Sequence, residues 1–403
     1  LSVADQTAVD EVVTTSAVAA GGDAIGRLDD GKVVFIEGAI AGERVAIRIN
    51  QHRRDFARAQ VVDVVEPSPS RVQPPCPNVG AGCGGCQWQH IAPSAQKDLK
   101  AAIVADGLRR IAGIQQVSGD PPLAVPPEAY RTTVRLGLSP AGVPGYRRRR
   151  GHSLVEASSC LVAHPRLAEL IAGGRFPGAH EATLRVGVAG GERLALLSGG
   201  SKRGQATVPA DVQVVTSGSE AWVHETIGDR RWRISAGSFF QSGPAAAQLL
   251  VDAVDAAVGD ALQPGGHLLD AYAGVGVVGG VIVARRGARL TAIEQHPIAV
   301  GDARVNLAGL EVRLHRGTVE AWKAEPVDVV VADPPRAGLG QAGVTALVAA
   351  QAGRLVVVSC DPASFARDVG LLARAGYRLT GWQVLDLFPH TTHVEVVGRL
   401  DRS

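Results

Sequence analysis

The five cysteines of this chain fall in different settings. Cys76, Cys83 and Cys86 stand close together, with Gly84 and Gly85 between the last two. Two thiols separated by two residues can ligate one centre, and glycines let backbone amides approach the sulfurs. Zinc and an iron–sulfur cluster both fit such a set. Cys360 follows the apolar run Val356-Val357-Val358-Ser359 and precedes Asp361-Pro362. A thiol at the end of a strand can attack a ligand bound there; a buried small hydrophobe is the plainer reading. Glu395 lies in an apolar closing segment. It is either a buried base, where an unpaired carboxylate is costly, or a strand residue facing water.

These residues need a scaffold, and the pattern from residue 236 onward supplies one. The runs Leu268-Leu269-Asp270, Leu290-Thr291-Ala292-Ile293-Glu294, residues 327–333 and residues 355–359 are apolar strands ending in polar residues, with helical stretches between. That alternation predicts an α/β domain, a doubly wound, Rossmann-like parallel sheet. Ligands of such sheets sit beyond the carboxyl ends of the strands. Asp270 leads into a turn containing Gly274 and Gly276, and Glu294 ends the next strand, where an acid holds ribose hydroxyls. Gly279 makes a looser fit to the longer dinucleotide pattern, so spacing alone leaves the nucleotide open. Asp333-Pro334-Pro335-Arg336 then sets a carboxylate on a rigid turn at the sheet edge.

Residues 1–66 read differently. Short alternating strands, among them Val33-Val34-Phe35-Ile36 and Val45-Ala46-Ile47-Arg48-Ile49, are separated by glycine turns and suggest a small OB-type β-barrel. Residues 67–235 form a mixed central region that holds the cysteine group, a helix over residues 94–111 and the basic run Arg147-Arg148-Arg149-Arg150. Those arginines, with Arg131 and Arg135, are candidates for phosphate contacts. Trp88, Phe239 and Phe240 are candidates for stacking on bases, though aromatic residues are more often core.

The 403 residues carry a net charge of only +2, with 46% hydrophobic and 20% charged residues, which excludes a generic polyanion binder. The longest apolar stretch, residues 268–284, is broken by Asp270 and glycines, so no membrane span is expected. No secretion signal opens the sequence, which argues against a disulfide framework and for a cytoplasmic protein.

Taken in order, the motifs resemble those of the RNA 5-methyluridine methyltransferases, above all the ribosomal RNA members. Ser238-Phe239-Phe240-Gln241 is similar to the family's cofactor-contacting segment. The resemblance implies that Gln241, Tyr272, Glu294 and Asp333 bind S-adenosylmethionine. Cys360 falls on the nucleophile of the family's Ser-Cys-Asn-Pro motif, with Asp361 in place of the Asn. Glu395 falls on the general base of its closing Phe-Pro-x-Thr-x-His-x-Glu motif. Gly243 and Val277 also depart from residues common in the family. The setting of Cys160 resembles that of a distant fourth ligand to a [4Fe-4S] cluster, which makes Cys76, Cys83, Cys86 and Cys160 the expected metal set, with zinc as the second choice. Residues 1–66 resemble a TRAM domain.

What the resemblance implies is methylation of carbon 5 of a uridine, most simply in 23S ribosomal RNA, by a monomer whose substrate is single-stranded or loop RNA. A transfer-RNA uridine target is the nearest alternative. An amino-group nucleobase methyltransferase would keep the glycine turn and Asp333 but have no use for Cys360 or Glu395. A non-catalytic RNA-binding protein would need none of these together, and a 5-methylcytidine enzyme would use two cysteines near the site.

Overall fold

In a computed structural model of the chain, residues 9–199 and 206–403 are described. The chain begins with a closed five-stranded barrel, β1 (Glu11–Val18), β2 (Ala24–Arg27), β3 (Val33–Glu37), β4 (Arg44–His52) and β5 (Phe56–Glu66), joined in the order β1-β2-β3-β5-β4. Alternation within each strand fills its interior with Val13, Val34, Ile36, Val45 and Ile47. A single helical turn, α1 (Pro77–Gly80), lies within the cysteine segment, and the helix α2 (Pro93–Arg110) follows. Pro93 opens α2 at a position that needs no amide donor.

Strand β6 (Asp120–Ala124) leaves the central region and pairs with the far edge of the large C-terminal sheet. A six-stranded sheet, ordered β12-β11-β10-β7-β8-β9, is built from β7 (Thr133–Leu138), β8 (Pro144–Arg147), β9 (Leu154–Glu156), β10 (Glu181–Val186), β11 (Arg193–Ser198) and β12 (Val212–Thr216). Helix α3 (Pro165–Gly173) packs on it through Leu167, Leu170 and Ile171. The hairpin β13 (Trp222–Ile227) and β14 (Arg230–Ser235) then leads into the last region.

That region alternates as expected: α4 (Pro244–Val258), β15 (His267–Ala271), α5 (Val277–Arg286), β16 (Arg289–Glu294), α6 (Pro297–Asn306), β17 (Val312–Arg316), β18 (Val329–Ala332), α7 (Gly340–Val348), β19 (Arg354–Ser359), α8 (Pro362–Arg374), β20 (Tyr377–Asp386) and β21 (Glu395–Arg402). The sheet order is β17-β16-β15-β18-β19-β21-β20-β6. Strands β15, β18 and β19 are buried almost throughout, because helices cover both faces of a parallel sheet. Helices α4 and α5 cover one face, and α2, α7 and α8 the other. The strand order reverses between β15 and β18, and a crevice opens at such a reversal. The closing strand β21 runs antiparallel between β19 and β20. Among the described residues, no helix is long and apolar enough to cross a membrane.

Candidate active site

One cavity of about 810 Å³ opens at the carboxyl ends of these strands, and Gln241, Tyr272, Glu294, Asp333, Cys360 and Glu395 all line it. That volume suits a ligand the size of a nucleoside cofactor with a base beside it. The residues arrive from separate elements. Tyr272 follows β15 in a left-handed conformation (φ 69°), which turns the chain sharply before Gly274 and Gly276. Glu294 ends β16. Its two carboxylate oxygens accept the amide hydrogens of Gly274 at 2.9 Å and His296 at 2.6 Å, which couples the glycine turn to the neighbouring strand.

Asp270, at the end of β15, is buried and accepts the Gly279 amide at 2.8 Å. A Cβ on Gly279 would lie 2.6 Å from the Asp270 Oδ2, so this helix start approaches the strand more closely than any side chain permits. Burial pushes the Asp270 carboxyl up to about 7. Asp333 immediately follows β18, and burial raises its carboxyl to about 6.

Cys360 lies between the end of β19 and the start of α8. Asp361 caps that helix, its Oδ1 accepting the Ser364 amide at 2.8 Å. The Cys360 thiol is pushed up to about 11, first by burial and then by the carboxylates of Glu395 and Asp333, against the opposing pull of Arg336. Glu395 opens β21. The pairing of Ser359 with Val396 places Cys360 and Glu395 at the next step of the same antiparallel ladder. The Glu395 side chain is 5% exposed, so the water-facing alternative does not hold. Burial, and then the negative charge of Asp333, raise its carboxyl well above the usual range. A thiol, a carboxyl group of high proton affinity and a second carboxyl thus line one cavity. Such a set can form a covalent bond to a planar ring and move a proton beside it.

The segment from Ser235 to Gln241 forms another wall. Asp302 of α6, fully buried, accepts from the Ser235 amide at 2.8 Å, the Ser235 and Ser238 hydroxyls at 2.7 and 2.6 Å and the Arg233 guanidinium at 2.8 Å. Arg185 of β10 donates to the Ser235 and Ser238 carbonyls at 2.8 Å each. Neither residue carried a sequence signal, since each lies within an ordinary helix or strand. Phe388, His393 and Arg336 also line the cavity, the first two stacked edge to face at 5.6 Å.

The aromatic candidates separate. Phe239 is 72% exposed at the cavity, whereas Phe240 packs against the core and Trp88, 1% exposed, is core. The basic run is largely engaged within the protein. Arg149 pairs with Glu37 at 2.7 Å, Arg150 with Glu37 at 2.5 Å and with Asp23 at 3.0 Å, both carboxylates belonging to the barrel. Arg135 and Arg147 share Glu181. Arg131 is sheltered between the rings of Tyr130 and Phe388, at 5.8 and 5.7 Å.

The four remaining cysteines line a second, small cavity with Arg131 and Tyr146. Gly84 donates to the Arg147 carbonyl at 3.0 Å, and a Cβ there would meet that oxygen at 2.7 Å, so the cysteine loop lies directly on the basic strand. The Gly85 amide reaches the Cys83 sulfur at 3.5 Å and the Tyr146 hydroxyl lies 3.2 Å from the Cys160 sulfur. Burial pushes the Cys86 thiol up to about 11. Among the described residues, no group of three or more His, Cys, Asp or Glu side chains is close enough to hold a single metal ion.

Comparison with known proteins agrees with this architecture. The TRAM domain model matches residues 13–62, and the tRNA (uracil-5-)-methyltransferase model matches residues 312–402. An uncharacterized RNA methyltransferase of Streptomyces coelicolor is 35% identical over 96% of this chain and 92% of its own length. The 23S rRNA (uracil(1939)-C(5))-methyltransferase of Alkalilimnicola ehrlichii is 33% identical over 93% of each chain. The solved structure of the Pyrococcus abyssi tRNA (uracil-54, C5)-methyltransferase with S-adenosyl-L-homocysteine superposes with a TM-score of 0.75 at 25% identity, covering 97% of this chain and all of that one. With the barrel, the doubly wound sheet and its cavity in place, this chain belongs to the S-adenosylmethionine-dependent RNA uracil-5-methyltransferases.

Proposed function

We propose that the chain methylates carbon 5 of a uridine in 23S ribosomal RNA, with Cys360 as nucleophile and Glu395 as base. The observation that carries this reading is the meeting of Cys360 and Glu395 on adjacent strand ends, inside the cavity that Asp333 also lines. Gln241, Tyr272, Glu294 and Asp333 hold the cofactor in this reading. Once bound, S-adenosylmethionine supplies an electrophilic methyl group and a fixed positive charge.

Carbon 5 of uracil is a weak nucleophile by itself. Cys360, its thiol proton released to solvent, bonds to carbon 6 as the thiolate, and the displaced electron pair makes carbon 5 nucleophilic enough to take the methyl group. Glu395, ionised, then removes the proton from carbon 5. The electron pair of that bond restores the ring double bond and expels the thiolate. A buried carboxylate suits this step, because burial raises its affinity for the proton. The target base must leave its stack to reach Cys360, so single-stranded or loop RNA is the substrate form. The barrel of residues 1–66 and the central region of residues 67–235 hold the RNA, and residues 236–403 carry the chemistry.

The ribosomal target is supported by the Alkalilimnicola relative, which aligns over nearly the whole chain. RNA containing 5-fluorouridine tests the mechanism. Its fluorine cannot leave as a proton, so a covalent adduct mapping to Cys360 is expected. Methylation of ordinary RNA without any adduct on the fluorinated one refutes it. Sequencing of modified uridines in ribosomal and transfer RNA from a strain lacking the gene decides between the two targets.

Cys76, Cys83, Cys86 and Cys160 fit an iron–sulfur cluster. Four free thiols line one cavity, the Gly85 amide donates to the Cys83 sulfur and the Tyr146 hydroxyl lies within hydrogen-bond distance of the Cys160 sulfur. The family resemblance favours the cluster over zinc. Because methyl transfer moves no net electron, these cysteines serve structure or orient the RNA. Iron and acid-labile sulfide in equal amounts in anaerobically purified protein are expected; zinc alone overturns the assignment.

A further inference from the structure

The connection between β20 and β21, residues 387–394, carries Phe388 and His393 into the cavity and delivers Glu395. It is not held by regular pairing. His390 takes a left-handed conformation (φ 67°) that costs a non-glycine residue energy unless its surroundings impose it. The surroundings come from far upstream. Lys100 of α2, fully buried, donates from its Nζ to the Asp386 Oδ1 at 2.6 Å and to the Phe388 carbonyl at 3.3 Å. The same Asp386 oxygen accepts the Phe388 amide at 3.2 Å. One turn earlier on α2, the fully buried Gln96 accepts the His390 amide at 2.6 Å, while its Nε2 donates to the Trp88 and Ile91 carbonyls at 3.1 and 2.8 Å.

Gln96 and Lys100 are four residues apart, so they share one face of α2. That face presents a carbonyl oxygen to the loop at one step and an ammonium at the next. A buried ion pair is rarely the most stable filling for a core, since hydrophobic residues of similar volume often serve as well. What the polar pair adds here is direction: it defines where the backbone of residues 386–390 must lie.

We propose that Gln96 and Lys100, through His390 and the Asp386–Phe388 turn, are positioning residues that set the base-bearing loop so that Glu395 faces the substrate carbon. This deepens the assignment of Glu395 as base and rests on it. Neither residue touches the cavity, so both act through the loop. The step that depends on them is removal of the carbon 5 proton, which comes after the covalent bond and the methyl group are already in place.

The test uses the full-length enzyme and unmodified RNA transcripts that the wild type methylates. The double variant Lys100→Met/Asp386→Leu replaces the buried pair with apolar groups, and Gln96→Leu leaves the pair intact and removes the contacts to His390, Trp88 and Ile91. Both are compared with Glu395→Gln. With S-adenosylmethionine affinity unchanged, kcat is expected to fall about 10- to 100-fold, as displacement of a catalytic group by an ångström would produce. Covalent protein–RNA complex on ordinary uridine RNA is expected to accumulate, visible on denaturing gels, as it should for Glu395→Gln.

If kcat stays within about twofold of wild type, or falls with no covalent complex while Glu395→Gln does trap one, the positioning role is overturned. If Glu395→Gln itself traps none, the base assignment fails and the proposal falls with it. Should the double variant not fold, Gln96→Leu alone carries the same two outcomes.

Discussion

Asp270 offers a direct test of how the cofactor crevice is built. Its carboxyl is buried beneath the glycine turn with the Gly279 amide as donor, and burial raises it from 3.8 to about 7. In the unfolded chain the group ionises near its ordinary value. The folded state therefore binds the extra proton between these limits, and stability falls as pH rises through that window. Below the unfolded value the carboxyl costs the fold nothing. At about 1.4 kcal/mol per pH unit, the penalty reaches about 4 kcal/mol above pH 7. Asp270→Asn removes the titration and keeps an oxygen to accept the Gly279 amide. The variant should exceed wild type in stability by about 2 kcal/mol at pH 5 and about 4 kcal/mol at pH 8. Urea unfolding of the cofactor-free protein at both pH values, followed by tryptophan fluorescence, measures the gap. A gap that is the same at both pH values, or that narrows toward pH 8, refutes the reasoning.

Further outcomes follow from the same geometry. Glu395→Gln should keep cofactor binding and lower kcat by about 10²- to 10⁴-fold in steady-state methylation assays; turnover above a tenth of wild type would remove Glu395 from the proton step. Gly279→Ala forces a methyl group against the Asp270 Oδ2 and the Leu290 side chain, at 2.6 and 2.9 Å. It should cost about 1–3 kcal/mol in thermal unfolding and weaken S-adenosylmethionine binding in calorimetry. Asp302→Ala leaves the Arg233 guanidinium and two serine hydroxyls without their acceptor. A loss of about 3–5 kcal/mol is expected by denaturant unfolding, together with a raised KM for RNA, because the wall bearing Phe239 and Gln241 loosens.

The C-terminal architecture was readable from local pattern. Apolar runs ending in Asp270, Glu294 and Asp333 alternate with helices, and the fold follows because each run is short and carries its own period and turn chemistry. The barrel was equally legible from alternation and glycine turns. Helix α2 falls within a residue of the expected span at both ends. Other readings depended on what lies across the fold. Arg149 and Arg150 look like free phosphate ligands in the sequence, yet they bridge to Asp23 and Glu37, more than a hundred positions earlier. Trp88 looks like a stacking platform and is core, its indole N–H held by the Gly22 carbonyl at 3.2 Å.

Cys360 and Glu395 mark the division most sharply. By itself, the sequence determined that a thiol ends a buried strand at the functional edge of a parallel sheet, because strand, turn and helix start are written within a dozen neighbouring residues. It also determined that four other cysteines stand apart from that edge. Only the tertiary structure decided that Glu395 is buried and stands beside Cys360. That follows from β21 inserting antiparallel between β19 and β20, a pairing chosen by sheet packing rather than by local preference. The helix face that grips the loop before Glu395 was likewise invisible, since Gln96 and Lys100 meet their partners almost three hundred residues downstream. Local residues set the conformation of each element; burial and partners depend on which distant elements cover it.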